Sequence, residues 1–404
     1  MKYIFKILFY AACLVAGAAL MQSCRGNGTG GEEPPVPGEE EKVSRTVLVY
    51  MVATNNLGQG AAGSLNCDVS DLKEMALAAD KLNGGHLLVY HASNQSAPEL
   101  KELSADGTWK TVCTYPEGNE SLTVQRMKKV IADTKSAARA DDYGIVFWSH
   151  ASGWIEPGYT GRGSVQPKSF GSDGSSKINM SIPDMAEALA DSRFSFIYFD
   201  CCHMGTVEVA YELRHLTDRI IASPTELGVS GMPYDRNLGP LFAASADLEK
   251  AVSNTFSFYS IRFGVPNDPD QWGCSISLID ASKIEALADL TAEVLRSAPD
   301  LRPDSYRPVP CFRTVVMSTG IFDMSDYISA ICPDPQLLSR WRQAYRDVVV
   351  RHYSTPQVFN LSAEKFTGLG CHIVRTPDES QTYGYNHTAW YSDVVSPALN
   401  PDNQ

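Results

Sequence analysis

The chain has 404 residues, with 34 Lys and Arg against 47 Asp and Glu, for a formal net charge of −13. That balance argues against nucleic acid as a partner, because a polyanion is bound through a basic face. Hydrophobic residues make up 44% and charged residues 20%, the proportions of a globular chain with a sizeable core.

The first segment stands outside any fold. Lys2 and Lys6 precede an uncharged apolar run over residues 7–21. The run is short for a membrane span and suits the core of a signal peptide. It stops at Met21-Gln22-Ser23-Cys24. A cysteine following a small residue at this place resembles the bacterial lipoprotein box. Residues 1–23 are therefore expected to be a signal peptide and Cys24 a lipidation site holding an exported protein on a bacterial membrane. The alternative is ordinary secretory cleavage near Ser23. Residues 24–43, rich in Gly, Pro and Glu, read as a flexible tether. Roughly 360 residues remain, enough for one large domain or two small ones. The peptide from 44 to 404 is taken as one domain, with a core to about 240 and an extension beyond. Ten cysteines are present, but their spacing makes no disulfide framework and dictates no pairing.

Residues 46–53, TVLVYMVA, read as a buried strand, β-branched and uncharged. Asn55 to Gly58 is a turn-like exit. Residues 67–80 read as an amphipathic helix with Val69, Leu72, Met75 and Ala79 at helical spacing. Strand 86–91 follows, then a hairpin excursion over 97–120 turning at Asp106-Gly107. A helix over 122–138 has Val124, Met127, Val130 and Ile131 on one side. Strand 143–149 delivers His150. Residues 155–180, rich in Gly, Ser and Pro, read as an exposed loop. Helix 182–189 leads to strand 194–199, which runs into Asp200-Cys201-Cys202-His203-Met204-Gly205. A helix resumes through Val207, Val209, Ala210 and Leu213, and a further strand covers 219–223. Later helices are expected at 280–297, 323–331 and 335–353, with a closing apolar segment near 368–374.

Alternating strands and helices predict an α/β fold whose mostly parallel sheet is covered on both faces. The two strands that deliver His150 and Cys202 then lie side by side, with both residues at their carboxyl ends, where such folds place chemistry. Cysteine is the informative choice there, since thiolate is the strongest side-chain nucleophile near neutral pH.

The sequence resembles the clostripain family of cysteine peptidases. The resemblance runs through Val47 to Leu57, Phe147-Trp-Ser-His-Ala-Ser-Gly-Trp154, Phe199-Asp-Cys-Cys-His-Met-Gly205 and the segment Ala222 to Tyr234. It implies a caspase-like αβα sandwich and an endopeptidase with Cys202 as nucleophile and His150 as proton-transfer partner. Asp200 matches the aspartate that lies near the pocket for a basic side chain, which implies cleavage of peptides and proteins after Arg or Lys. A carboxylate pairs bidentately with a guanidinium, which gives that preference a physical cause. Glu226 and Asp235 are nearby alternatives. Backbone N–H groups at Ala151 to Gly153 and at Cys202 would hold the oxyanion. Self-cleavage between the two motifs is a further implication, with Arg162, Lys168 and Lys177 as the available basic residues.

One position departs from the family pattern: Ala151 stands where glycine usually follows the histidine, and its Cβ restricts the backbone. The competing reading is accordingly an inactive, peptide-binding surface lipoprotein on the same fold. An ester hydrolase is disfavoured because no G-x-S-x-G elbow occurs. Cys201 reads as structural. His203 beside Cys202 completes no zinc-ligand spacing. No cofactor is expected. Calcium stays open, since residues 267–270 form an acidic loop without an EF-hand pattern, a loop best read as a solvated turn. Trp148 reads as core, and Trp154 as core or groove wall.

Overall fold

The computed structural model describes residues 43–61, 63–116, 120–155, 169–174, 178–302, 321–359, 361–374 and 382–400. The chain begins with β1 (Val43–Val52), α1 (Cys67–Leu77), β2 (His86–Ala92), β3 (Glu99–Leu103) and β4 (Trp109–Thr114). It continues through α2 (Val124–Ala137), β5 (Ala140–Trp148), β6 (Phe170–Asp173), β7 (Ile178–Met180), α3 (Ile182–Leu189) and β8 (Phe196–Asp200). Next come α4 (Val207–Glu212), β9 (Arg219–Ala222), α5 (Tyr234–Leu241), α6 (Leu248–Ser260), β10 (Ser275–Asp280) and α7 (Ile284–Ser297). The last elements are β11 (Ile321–Asp323), α8 (Met324–Ile331), α9 (Pro335–Val348) and β12 (Val349–Ser354), followed by a short strand at Gly370–His372.

Nine strands make one sheet in the order β12-β10-β9-β8-β5-β1-β2-β3-β4. The five central strands are parallel. β10 and β12 extend one side and β3 and β4 the other, all by antiparallel pairing. The central strands are apolar on both faces because both faces are covered. Leu48, Tyr50 and Val52 of β1 join Tyr90, Phe147 and Phe199 in one core, beneath α2, α3 and α7. Val47, Val49 and Met51 point the other way, into a second core with Trp148 and Tyr198 beneath α1, α5 and α6. This is the expected αβα sandwich. The starts of α2 and α3 are fixed by Thr123 and Ser181, whose hydroxyls accept the N–H groups of Arg126 and Asp184 as N-caps do.

The structure corrects three expectations. The expected apolar face of α1 is buried only in part: Met75 and Ala79 are buried, but Val69 is 40% exposed, and Asp68 and Asp71 are buried beside Cys67. Those acids face the sheet because they have partners there, as described below. The expected helix to 353 stops at Val348, and 349–354 becomes β12. The β-branched Val349-Val350 pair and the free edge of β10 favour a strand there. Finally, parts of the expected exposed loop at 155–180 are buried: Ile155 is 3% exposed, and Phe170 to Asp173 forms an interior hairpin with β7. Among the described residues, no helix is long and apolar enough to cross a membrane.

Candidate active site

β5 and β8 are parallel neighbours with Trp148 opposite Asp200. His150 lies two residues beyond Trp148, and Cys202 two residues beyond Asp200. The register therefore sets both side chains at matching positions on the carboxyl edge of the sheet. The turn after β8 is closed against the segment that follows β9. His203, at φ 61°, donates its N–H to Thr225 O at 2.8 Å, and Gly205 donates to Ser223 O at 2.8 Å. A Cβ at Gly205 would stand 2.6 Å from Pro224 N, so only glycine fits this approach. Cys202 is half-buried and packs against the small cluster of Leu227, Phe258, Tyr259 and Cys274. The Leu227 N–H points at its sulfur from 3.4 Å. Cys201 faces the opposite core at 4% exposure, and burial pushes its thiol well above the ordinary range. Such a thiol is chemically inert.

The histidine loop is equally tied down. Ser149 Oγ donates to Val52 O at 2.8 Å, Gly171 N–H to His150 O at 2.7 Å, and Ser152 N–H to Ser169 O at 3.2 Å. His150 Nε2 lies 2.8 Å from Asn56 Oδ1. Gly153 adopts φ 72°, and a Cβ there would lie 2.8 Å from His203 O. The two site loops thus touch backbone to backbone. The N–H groups of Ala151 and Gly153 have no acceptor among the described residues. Trp154 is 2% exposed, with its ring 4.7 Å from that of His372 and 4.8 Å from that of Tyr385. It is a core residue and does not line a groove.

Asp200 is buried, with Oδ1 accepting the Met232 N–H at 2.7 Å and Oδ2 the Tyr234 hydroxyl at 3.0 Å. Burial raises its carboxyl to about 7 against the pull of those two bonds. Asp71 of α1 lies close by and takes the Trp148 indole N–H at 2.6 Å. Burial, and then the Asp200 charge, raise its carboxyl well above the ordinary range. Two acids held against each other without a paired cation among the described residues make this a cation-seeking corner. The sequence concealed Asp71, since only an acid recurring inside a helix's buried face would have marked it. Asp235 sits in the first turn of α5, where its charge raises Glu74 in addition to that residue's burial. Glu226 is half-buried in the segment that leads to Leu227.

Arg162, Lys168, Lys177 and Cys24 lie outside the described residues. Burial lowers His203 to about 4, so it is a neutral structural imidazole. Among the described residues no group of three or more His, Cys, Asp or Glu could hold a metal ion. In the 267–270 loop, Asp268 instead caps the Asp270 N–H at 2.9 Å, and Asp270 is 2% exposed.

Behind the cysteine turn, Glu208 of α4 is buried and accepts the His372 N–H at 2.7 Å and the Tyr385 hydroxyl at 3.3 Å. Burial raises its carboxyl from 4.5 to about 7. A raised acid stabilises the fold below its unfolded value and loses that contribution as pH climbs through the folded value. The shift corresponds to on the order of 3 kcal/mol. Glu208→Gln, which cannot ionise, is expected to gain stability relative to wild type between pH 5 and pH 8.5 in urea unfolding. An equal offset at both pH values would show that the carboxyl is not carrying this burden.

A half-buried cysteine and a histidine at the register-matched ends of adjoining parallel strands, within an αβα sandwich, mark a caspase-like cysteine peptidase. The chain belongs to the clostripain family, whose model matches residues 49–361. Among solved structures it is similar to a secreted C11 cysteine protease of Bacteroides thetaiotaomicron bound to an irreversible peptide inhibitor. That likeness has 29% identity and a TM-score of 0.74, covering 89% of this chain and 100% of the other. It is also similar to an inactive zymogen C11 protease of Parabacteroides distasonis, at 25% identity and a TM-score of 0.72, covering 88% and 99%. A second secreted C11 protease of Bacteroides thetaiotaomicron shares the fold at 20% identity and a TM-score of 0.71, covering 88% and 100%. No curated protein matches the chain. The chain is a cysteine peptidase and acts on peptide or protein substrates.

Proposed function

We propose that this peptidase cleaves after Arg or Lys, with Cys202 as nucleophile and His150 as its proton-transfer partner. The observation that carries the reading is the shared register of β5 and β8, which sets the two side chains on one edge. Cys202 gives its thiol proton to the His150 imidazole and its sulfur attacks the scissile carbonyl; the negative charge formed on the carbonyl oxygen is held by the Ala151 N–H, with Gly153 and Cys202 supplying the neighbouring donors. Collapse breaks the C–N bond, the amine leaves with a proton from the His150 imidazolium, and water then hydrolyses the thioester. Asp200, backed by Asp71, draws the substrate's basic side chain to the floor of the pocket.

Export is part of this reading. The signal-like residues 1–23 and Cys24 support a lipid-anchored envelope protein with residues 24–43 as tether. The relatives described as secreted are consistent with an extracellular location. Self-processing at Arg162, Lys168 or Lys177 would unlock the site, a reading in keeping with a relative described as an inactive zymogen.

Fluorogenic peptides ending in Arg, Lys and Ala test the proposal. Turnover of the first two with at least hundredfold preference over Ala is expected, directly or after limited tryptic nicking. Absence of turnover in both states would favour the inactive, peptide-binding lipoprotein, with Ala151 as its lesion.

A further inference from the structure

We propose that Asn56 is the positioning residue for His150, holding the imidazole in the tautomer and orientation that the reaction needs. The inference rests on the catalytic reading of His150 above, and it adds a third side chain to the pair. An amide oxygen only accepts hydrogen bonds, so the contact at 2.8 Å requires His150 Nε2 to be the donor. The neutral ring then carries its proton on Nε2. Once the ring is protonated, the same oxygen receives a charge-assisted bond, which is the stronger kind. Asn56 therefore favours the imidazolium that must protonate the leaving amine.

The placement of Asn56 is built, not incidental. Its own C=O accepts the Leu65 N–H at 3.0 Å. The preceding Asn55 is a cross-brace: its Nδ2 donates to Val52 O at 3.0 Å, Ser172 O at 3.0 Å and Ser149 Oγ at 3.3 Å. Its Oδ1 accepts the Leu57 N–H at 2.9 Å. Ser149 immediately precedes His150, so the loop presenting Asn56 is bonded to the strand end presenting the ring. From just beyond β2, Asn94 Nδ2 reaches Ala53 O at 3.0 Å and Asn55 O at 3.2 Å. Gly58 completes the tight turn, where a Cβ would fall 1.7 Å from Ala53 O. A bond from a donor on one strand end to an acceptor on a neighbouring, braced loop fixes ring rotation in a way that packing alone does not.

The test compares wild type, Asn56→Leu and Asn56→Asp on an arginyl amide and the matching arginyl ester. The amine of an amide needs a proton to leave, whereas an alkoxide or phenoxide leaves more readily. Asn56→Leu is expected to lower kcat on the amide by about 10- to 100-fold, a share of the usual effect of general acid catalysis. KM should stay within about twofold and the ester should lose far less. Asn56→Asp keeps the acceptor oxygen and is expected to recover most of the amide rate. Equal losses on both substrates, or a change confined to KM, would overturn the positioning role. A second measurement does not depend on turnover. Nitrogen NMR of the histidine rings, with His150→Gln to assign the signal, should report the Nε2–H tautomer in wild type and lose that preference in Asn56→Leu. An Nδ1–H tautomer in wild type would overturn the inference whatever the activity. Wild type inert on both substrates but with the Nε2–H tautomer would instead sink the peptidase reading and leave the pairing intact.

Discussion

Cys202→Ala is expected to abolish hydrolysis of arginyl peptides, by at least four orders of magnitude in kcat, while leaving the fold unchanged. Cys201→Ala, one residue away, is expected to keep most of the activity and lose stability instead. The contrast follows from the end of β8, where successive side chains point to opposite faces. Cys202 is half-buried beneath the Leu227 N–H, whereas Cys201 is sealed in the far core. Deleting a small buried sulfur costs about 1 to 2 kcal/mol through lost packing. Denaturant unfolding and turnover, measured on both variants, give the crossed pattern that identifies the nucleophile. Activity that survives in Cys202→Ala and fails in Cys201→Ala would reassign it.

The second large effect is expected at Asp200. Asp200→Asn keeps the shape and an acceptor for the Met232 N–H but removes the charge. Removing one partner of a buried, hydrogen-bonded charge pair costs about 2–5 kcal/mol. The ratio of kcat/KM for an arginyl over a norleucyl substrate should therefore fall by roughly 30- to 4,000-fold. The ratio also isolates the carboxyl from the ionisations of Cys202 and His150, which act on both substrates alike. Asp200 titrates near 7 because burial disfavours its charge. Below that pH it is protonated and attracts a cation weakly, so the wild-type ratio should climb as pH rises through about 7. In Asp200→Asn it should be flat. A flat wild-type ratio would move the specificity determinant away from this residue, with Asp71 and Glu226 next to be tested.

Much of this architecture was legible before any coordinates. Residues 46–53 and 194–199 announce buried strands because both faces of a covered parallel sheet are apolar, and the neighbouring placement of His150 and Cys202 followed from topology alone. What was hidden involves residues whose role depends on distant partners. Asp68 and Asp71 interrupt the apolar pattern of α1, yet they are buried with Cys67 and Met75, because His91 and Trp148 of the sheet meet them. Asn56 lies in a turn-like stretch within the family-like opening, but its pairing with His150 is hidden, since a hydrogen bond across 94 positions leaves no local trace. The 349–354 segment follows an amphipathic helix so directly that its β-branched Val349-Val350 pair is a weak signal, and the edge of β10 decides that it is a strand.

The strand order also constrains how a substrate is gripped. β8 lies three strands in from the β12 edge, and β5 four in from the β4 edge. At a spacing of about 4.8 Å, the nearer open edge is roughly 14 Å from the reacting groups. A peptide held at Cys202 therefore cannot be recognised by β-augmentation, the addition of one more strand to the sheet. Its backbone must be read by the loops that crown the central strands. Selectivity is thereby separated from the sheet: the loops above it decide which sequences are cut, while the sheet beneath them keeps the thiol and the imidazole in register.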